Sequence, residues 1–439
     1  MKVITSFCLL LTSLNILAQG SISGNFSPPK DFKWLIAYEL TPNGERYSTD
    51  TAIKEGSFTL EMPATAQAGM YRLVYAVPQD EFYIDVIYNK KEDVKFNFNL
   101  QNGLTITNSE ENKWYHEYFS KITAAQDRLL EYYETGNDSK KEYGAILKEL
   151  KTIQTNFEEE HASSIAHKFI KANRSYIPTE FENLETFLKN KKQHHFDNLN
   201  INDPILQGSN FLTDKFASYV FSALPADIKT KEQLEIEINK NIRTTADFIK
   251  TTPNGFQVKA LHQLWKIAEV NEMGSVQDFI FKNHLKKLAL ANDNQKLVDE
   301  IEIASRLRIG AVSPDITWEA NGKKHSLLTM EKAENYLLVF WSSTCSHCLK
   351  ELPQLHKELK DYEGLKIIAV GLEDDNINWK KVSATLPAFN HAIALGRWES
   401  DYAQTFGIQS TPTYFILDSE KRFLAKPESD KEVVEFLEN

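Results

Sequence analysis

Cysteine is nearly missing from this sequence, with three in 439 residues. A fold stapled by several disulfides is excluded by that count. A zinc site built on two cysteine pairs is excluded as well, because no second pair exists. Positive charge is also in short supply. Lys and Arg number 50 against 61 Asp and Glu, a formal net charge of -11, and no basic stripe stands out. This argues against nucleic-acid binding and against docking on an anionic membrane. Long hydrophobic runs are absent past the first 19 residues, so no later stretch is apolar enough to cross a bilayer. No repeat of fixed length is found, which leaves a helical solenoid without support. The length itself exceeds one ordinary core and predicts two or three domains.

The start reads as a targeting segment, residues 1–19. Lys2 supplies a short basic region, Val3 to Leu17 are mostly apolar, and Ile16-Leu17-Ala18 can serve as a cleavage site. The apolar stretch is short for a membrane span, so a cleaved signal peptide is preferred to an uncleaved anchor. Cys8 lies inside the apolar region and too near the start to carry a lipid. Cleavage after Ala18 removes Cys8 and leaves Cys345 and Cys348. A disulfide between residues so close constrains the unfolded chain little, which makes function the stronger explanation for the pair.

Residues 20–108 predict about seven short strands separated by turn signals such as Pro42-Asn43-Gly44 and Asn102-Gly103, the pattern of an antiparallel sandwich. From 109 to 308 the period changes. Aromatic residues and Leu recur three and four apart, and breaks fall at Gly136-Asn137-Asp138, Asp203-Pro204 and Pro253-Asn254-Gly255, which predicts an all-helical region. From 309 to 439 strands and helices alternate. Asn321-Gly322 marks a hairpin, strand Tyr336 to Phe340 runs into the cysteine motif, and a helix follows from Cys345 to about Tyr362. The apolar residues Leu349, Leu352, Leu355, Leu359 and Tyr362 are expected on one side of it.

The motif is Trp341-Ser-Ser-Thr-Cys345-Ser-His-Cys348-Leu-Lys-Glu351-Leu-Pro353. Two thiols at this spacing can close into a disulfide and reopen. A thiolate is the attacking species, and unpaired N–H groups and the dipole at a helix start favour negative charge. Cys345 is therefore expected at the helix start, exposed and with a lowered pKa. Cys348, one turn on, is expected to be more buried and to resolve the mixed disulfide. Ser346 and His347 lie between them and tune the potential. A His347 that stabilises the Cys345 thiolate favours the reduced form and makes the couple more oxidising.

Together with Phe340-Trp341, Glu351-Leu352-Pro353 and Gly407-Ile408-Gln409-Ser410-Thr411-Pro412-Thr413, this motif resembles the thioredoxin-fold oxidoreductases of the TlpA/ResA-like group. The resemblance runs from about Ala311 to the end. It implies a redox disulfide Cys345–Cys348, a cis Thr411–Pro412 bond facing it, and backbone groups of Thr411 that pair with an extended substrate. It also implies that Glu351 takes or gives the proton of Cys348, and that Trp341 borders the reactive sulfur. Thioredoxin has a buried Asp two residues before the motif Trp. Val339 stands there in this chain, which leaves Glu351 as the candidate base. Cys-x-His-Cys matches the DsbA-type spacing, with Ser346 in place of that family's Pro. The first domain resembles the β-rich domain found before thioredoxin modules in exported proteins of Bacteroidetes-type bacteria.

The expected whole is multidomain: an N-terminal antiparallel β-sandwich, a central all-α region and a C-terminal α/β thioredoxin fold. Its expected role is that of a periplasmic or cell-envelope thiol–disulfide oxidoreductase. Protein thiols and disulfides are the expected partners, with a membrane-side thiol as electron donor or acceptor. No metal and no cofactor is required, because the dithiol carries the two electrons. A zinc site would have to recruit His356 or His391. Peroxiredoxin chemistry is disfavoured by Leu338 at its Pro position. The rival reading is a partner-binding envelope protein in which the redox pair is a sensor or accessory. His194-His195 beside Lys191-Lys192 reads as a solvated helix end, and Glu158-Glu159-Glu160-His161 as an exposed charged face.

Overall fold

Side chains on alternate positions of a strand point to opposite faces, and the first part of the chain is built on that rule. A computed structural model describes residues 20–29, 32–225, 227–320 and 322–438. The targeting segment with Cys8 and Ala18, and Asn321 of the expected hairpin, lie outside the described residues. Two units can be distinguished, Met1–Ile280 and Phe281–Asn439.

The first unit opens with strands β1 (Ser21–Phe26), β2 (Trp34–Thr41), β3 (Gly44–Ala52), β4 (Ser57–Glu61), β5 (Gly69–Val74), β6 (Tyr83–Tyr88), β7 (Val94–Asn99) and β8 (Gly103–Asn108). They form two four-stranded sheets, ordered β4-β1-β7-β8 and β3-β2-β5-β6. One apolar cluster draws on both sheets: Ile22, Phe58, Leu60 and Phe96 from one, Leu35, Ala37, Leu73 and Val86 from the other. The strand pairs are antiparallel except β1 and β7, which run parallel with Ile22 opposite Val94. Strand β3 was invisible to periodicity. It is an edge strand of polar sequence, Gly-Glu-Arg-Tyr-Ser-Thr-Asp-Thr-Ala, with no buried position, held by backbone pairing to β2.

Strand β5 is buried at every position, Arg72 included. A buried cation needs partners. Arg72 forms a two-point pair with Asp85 directly across on β6, at 2.9 and 2.8 Å, reaches Glu45 at 2.9 Å and lies 3.7 Å from the Tyr83 ring centroid.

Helices follow, beginning with Glu110–Glu134 and Lys140–Glu160. The first helix is fastened to β6 by a buried amide. Asn112 Nδ2 donates to the Ile87 carbonyl at 2.8 Å, and its Oδ1 accepts from the Ile87 N–H at 2.8 Å. Ser109 caps this helix, and Glu92 accepts from the N–H groups of Glu110 and Glu111. Asn112→Ala leaves both Ile87 groups unpaired in the interior. It is expected to lower stability by about 2–4 kcal/mol, measured by denaturant unfolding. A loss below about 0.5 kcal/mol would mean that Ile87 finds other partners.

In the second unit a hairpin, β9 (Thr317–Ala320) and β10 (Lys323–Ser326), precedes β11 (Asn335–Trp341), β12 (Leu365–Glu373), β13 (Asn390–Leu395), β14 (Thr413–Asp418) and β15 (Phe423–Ala425). The last five form one sheet ordered β13-β12-β11-β14-β15. Strand β11 pairs parallel with β12 and antiparallel with β14, so it is central. Its unbroken apolar run follows from burial on both faces. Leu337, Val339 and Trp341 face helices Ser346–Leu359 and Asp430–Glu438. Tyr336, Leu338 and Phe340 face the opposite cluster with Ile316, Trp318, Phe406 and Phe415. This is the α/β arrangement expected of a thioredoxin fold. Helix Gln295–Arg306 packs on the same unit: Ile303 lies against the second cluster, and Arg306 Nη1 donates to the Thr405 carbonyl at 3.1 Å. Gly407, at φ 57°, makes room for it, since a Cβ there would sit 2.7 Å from Ile303.

Candidate active site

Strand β11 ends at Trp341, and the chain turns through Ser342-Ser343-Thr344 before the helix Ser346–Leu359 begins. Cys345 is its N-cap, with extended backbone at φ -85° and ψ 120°. The N-cap side chain normally carries an oxygen that accepts from the first turn. Here a sulfur does so: the Cys348 N–H points at Cys345 Sγ, 3.4 Å away. The Cys345 sulfur is placed at the positive end of the helix by the role a cap plays in any helix.

The loop before it is fixed from the side. Glu373, at the end of β12 and buried, accepts from the Ser343 N–H at 2.5 Å and from Ser343 Oγ at 3.0 Å. At the rim, Arg397 reaches Asp374 at 3.3 Å and the Thr344 hydroxyl at 3.5 Å.

Both cysteines are thiols in this structure, Cys345 half-buried and Cys348 fully buried. Partial burial works against ionisation of Cys345. Hydrogen bonds from the Thr411 and Cys348 side chains and from the Cys348 and His347 N–H groups outweigh it, and hold its pKa below the ordinary thiol value. The neutral thiol donates to the Thr411 carbonyl at 3.2 Å, a contact given up on ionisation. Cys348 behaves oppositely. Burial, and then its hydrogen bond to Cys345, push it up to about 12.

The peptide bond Thr411–Pro412 is cis, and the Thr411 carbonyl faces Cys345. Trp341 is buried beside Cys348 in the cluster with Leu352, Leu355 and Tyr414. Glu351 is half-buried and accepts from the Tyr414 hydroxyl at 3.1 Å. Burial, together with the Glu351 carboxylate and nearby Cys348, holds the Tyr414 phenol well above its usual range, so it stays a donor. Ser346 and His347 are exposed. The backbone N–H of His347 is among the groups that lower the Cys345 pKa.

The structure thus gathers Cys345, Cys348, Trp341, Thr411, Pro412 and Glu351 at one end of the sheet. Two residues that the sequence did not single out join them, Tyr414 and Glu373. A phenol two positions after Pro412 was a signal for the first, and a carboxylate closing the apolar run of β12 for the second. The helix face differs from expectation. Cys348, Leu352, Leu355 and Leu359 are buried, whereas Leu349 is 44% exposed, because a stripe that includes Cys348 must leave its neighbour outside. Away from the site, His161 stacks on Trp114 with centroids 4.0 Å apart, and Glu158 is paired with Arg174. That segment is therefore a set of packed contacts as well as a charged face.

Residues 334–423 match the thioredoxin-like family. The thioredoxin-like protein YneN of Bacillus subtilis is 26% identical over 110 residues, which cover 25% of this chain and 65% of that protein. The thiol-disulfide oxidoreductase ResA of Bacillus thuringiensis subsp. konkukian is 29% identical over 136 residues, 30% of this chain and 76% of ResA. Among solved structures, a thioredoxin-like protein from Bacteroides caccae aligns with 60% of this chain and 96% of its own, at 18% identity and a TM-score of 0.36. A thiol:disulfide interchange protein from Bacteroides sp. aligns with 30% of this chain and 92% of its own, at 28% identity and a TM-score of 0.27.

Proposed function

We propose that this chain, whose C-terminal unit carries a TlpA/ResA-like thioredoxin domain, is an exported thiol–disulfide oxidoreductase acting on proteins of the cell envelope. One observation carries the reading: a half-exposed sulfur capping a helix, its pKa lowered, beside a buried second thiol and a cis-proline loop.

In the reducing direction the Cys345 thiolate attacks a sulfur of the substrate disulfide. A Cys345–substrate bond forms, the substrate S–S bond breaks, and one substrate thiolate leaves. Cys348 then loses its proton and attacks Cys345 Sγ, which closes the Cys345–Cys348 disulfide and releases the second substrate thiolate. The substrate gains two electrons and the protein loses two. Oxidation of a dithiol is the same path reversed. Glu351 takes the Cys348 proton, and the Tyr414 hydroxyl keeps that carboxylate in place. Trp341 walls the sulfur pair, Ser346 and His347 border the approach, and Thr411 with Pro412 aligns the incoming segment. The dithiol needs no metal or cofactor. A membrane-side thiol protein resets it.

In this reading residues 1–19 are the export signal, 20–108 and 109–308 the β and helical domains, and 309–439 the redox domain. No helix among the described residues is long and apolar enough to cross a membrane.

Cys348→Ser tests the proposal. Without the resolving thiol the first step has no successor, so envelope proteins are expected to accumulate as mixed disulfides on Cys345. They would be seen as dithiothreitol-sensitive high-mass bands on non-reducing gels. The same band pattern in Cys345→Ser;Cys348→Ser would overturn it.

A further inference from the structure

The first unit holds a second candidate site, in the segment that reads from sequence as a solvated helix end. Lys191, on helix Leu184–Gln193, is not in open solvent. It is half-buried, as are His195 just beyond the helix and Lys215 on helix Phe211–Ser222. The three residues line a cavity of about 590 Å³, whose walls include Tyr115, Phe119, Tyr176 and Phe211. A second hollow of about 640 Å³ adjoins it and shares Lys191, His195 and Ser218.

Two of the cations lining the first cavity, Lys191 and Lys215, are unusual in lacking counter-charges. Neighbouring lysines are satisfied: Lys192 meets Glu237 at 2.8 Å, and Lys259 donates to the Gly208 carbonyl at 2.7 Å. Among the described residues, Lys191 and Lys215 have no hydrogen-bond or ion-pair partner. Their ammonium groups lie only over ring faces, at 5.9 Å from Phe187 and 5.8 Å from Phe211. The acids of the same wall do not compensate them. Asp85 is held by Arg72, and the charges acting on Asp214 are those of Asp85, Arg72 and Lys259. His195 bonds the Lys215 carbonyl through Nε2 at 3.1 Å and is kept neutral by burial and by both lysines. Burial, and then the charge of Lys191, bring Lys215 down to about 8. Holding two cations together, partly desolvated and unpaired, costs stability, and a ligand that brings the missing negative charge removes that cost.

The geometry points to a binding site for an organic anion in this cavity, its carboxylate or phosphate head between Lys191 and Lys215 and an aromatic or apolar body against Tyr115, Phe119 and Phe211. The volume suits a ligand of drug or short-peptide size. This site is independent of the redox chemistry proposed above.

The test uses the full chain and three probes that share a phenyl group: N-acetyl-L-phenylalaninate, its uncharged amide, and phenyl phosphate. Dissociation constants come from calorimetry, and protection of individual lysines from reductive methylation from mass spectrometry. An anionic probe is expected to bind about ten-fold or more tightly than the amide, and to slow methylation of Lys191 and Lys215. The preferred anion, carboxylate or phosphate, names the head group. In Lys191→Gln;Lys215→Gln the preference for the anion is expected to vanish while the melting temperature holds or rises, since two unpaired cations are removed. Equal binding of anion and amide, no saturable binding of any probe, unprotected lysines, or a preference that survives the double substitution would each overturn the assignment.

Discussion

Disulfide turnover by Cys345→Ser is expected to fall to the uncatalysed rate, about 10³-fold or more below the intact chain. A serine hydroxyl can still cap the helix and accept from the Cys348 N–H, so stability is expected to change by no more than about 0.5 kcal/mol. What is lost is the thiolate. An alcohol stays protonated where a thiol with a lowered pKa ionises, and it forms no exchangeable bond to sulfur. Cys348 cannot substitute: it is fully buried and its pKa is pushed up to about 12. Reduction of an oxidised model protein by dithiothreitol, with and without each variant, reads the effect. Turnover retained by Cys345→Ser would remove the redox role from this site.

The second large effect is a division of reactivity between the two thiols. With its pKa at about 12, Cys348 has a thiolate fraction of about 10⁻⁵ at pH 7. Cys345 is shifted the other way. Iodoacetamide at pH 7 is therefore expected to modify Cys345 about 10³-fold or more faster than Cys348, counted by mass spectrometry. The sign of the pH dependence follows from which form attacks. The Cys345 rate rises with pH as thiolate forms and levels off above its pKa, with the midpoint below the free-thiol value of about 8.5. A stabilised thiolate favours the dithiol over the disulfide, so the same hydrogen bonds make the couple more oxidising. A midpoint at or above the free-thiol value, or equal labelling of the two sulfurs, would contradict the arrangement around Cys345.

Much of the second unit was legible in the linear chain, because its signals are local. The apolar run Tyr336 to Phe340 declared a strand, and Cys-x-x-Cys at a helix start places one sulfur on the cap and the other a turn inside. Strand β3 was not legible. Backbone pairing to β2 holds it, and backbone hydrogen bonds leave no pattern in side chains. Tyr414 and Glu373 escaped for a different reason. Each acts on a residue distant in sequence, Glu351 and Ser343, and only the parallel and antiparallel neighbours of β11 bring those pairs together.

The sequence alone pointed to the proposed class of chemistry, because two thiols one helical turn apart have few other uses, and residue spacing set both strand burial and cap position. Tertiary structure decided everything that depends on distance between remote segments. It set what separates the two sulfurs, through the Thr411 loop and the burial of Cys348, and what holds Glu351, through Tyr414. It also turned Lys191 from part of an apparently solvated helix end into the wall of a cavity that it shares with Lys215. A pKa, a buried carboxylate and an unpaired cation are properties of surroundings, and surroundings are assembled by folding.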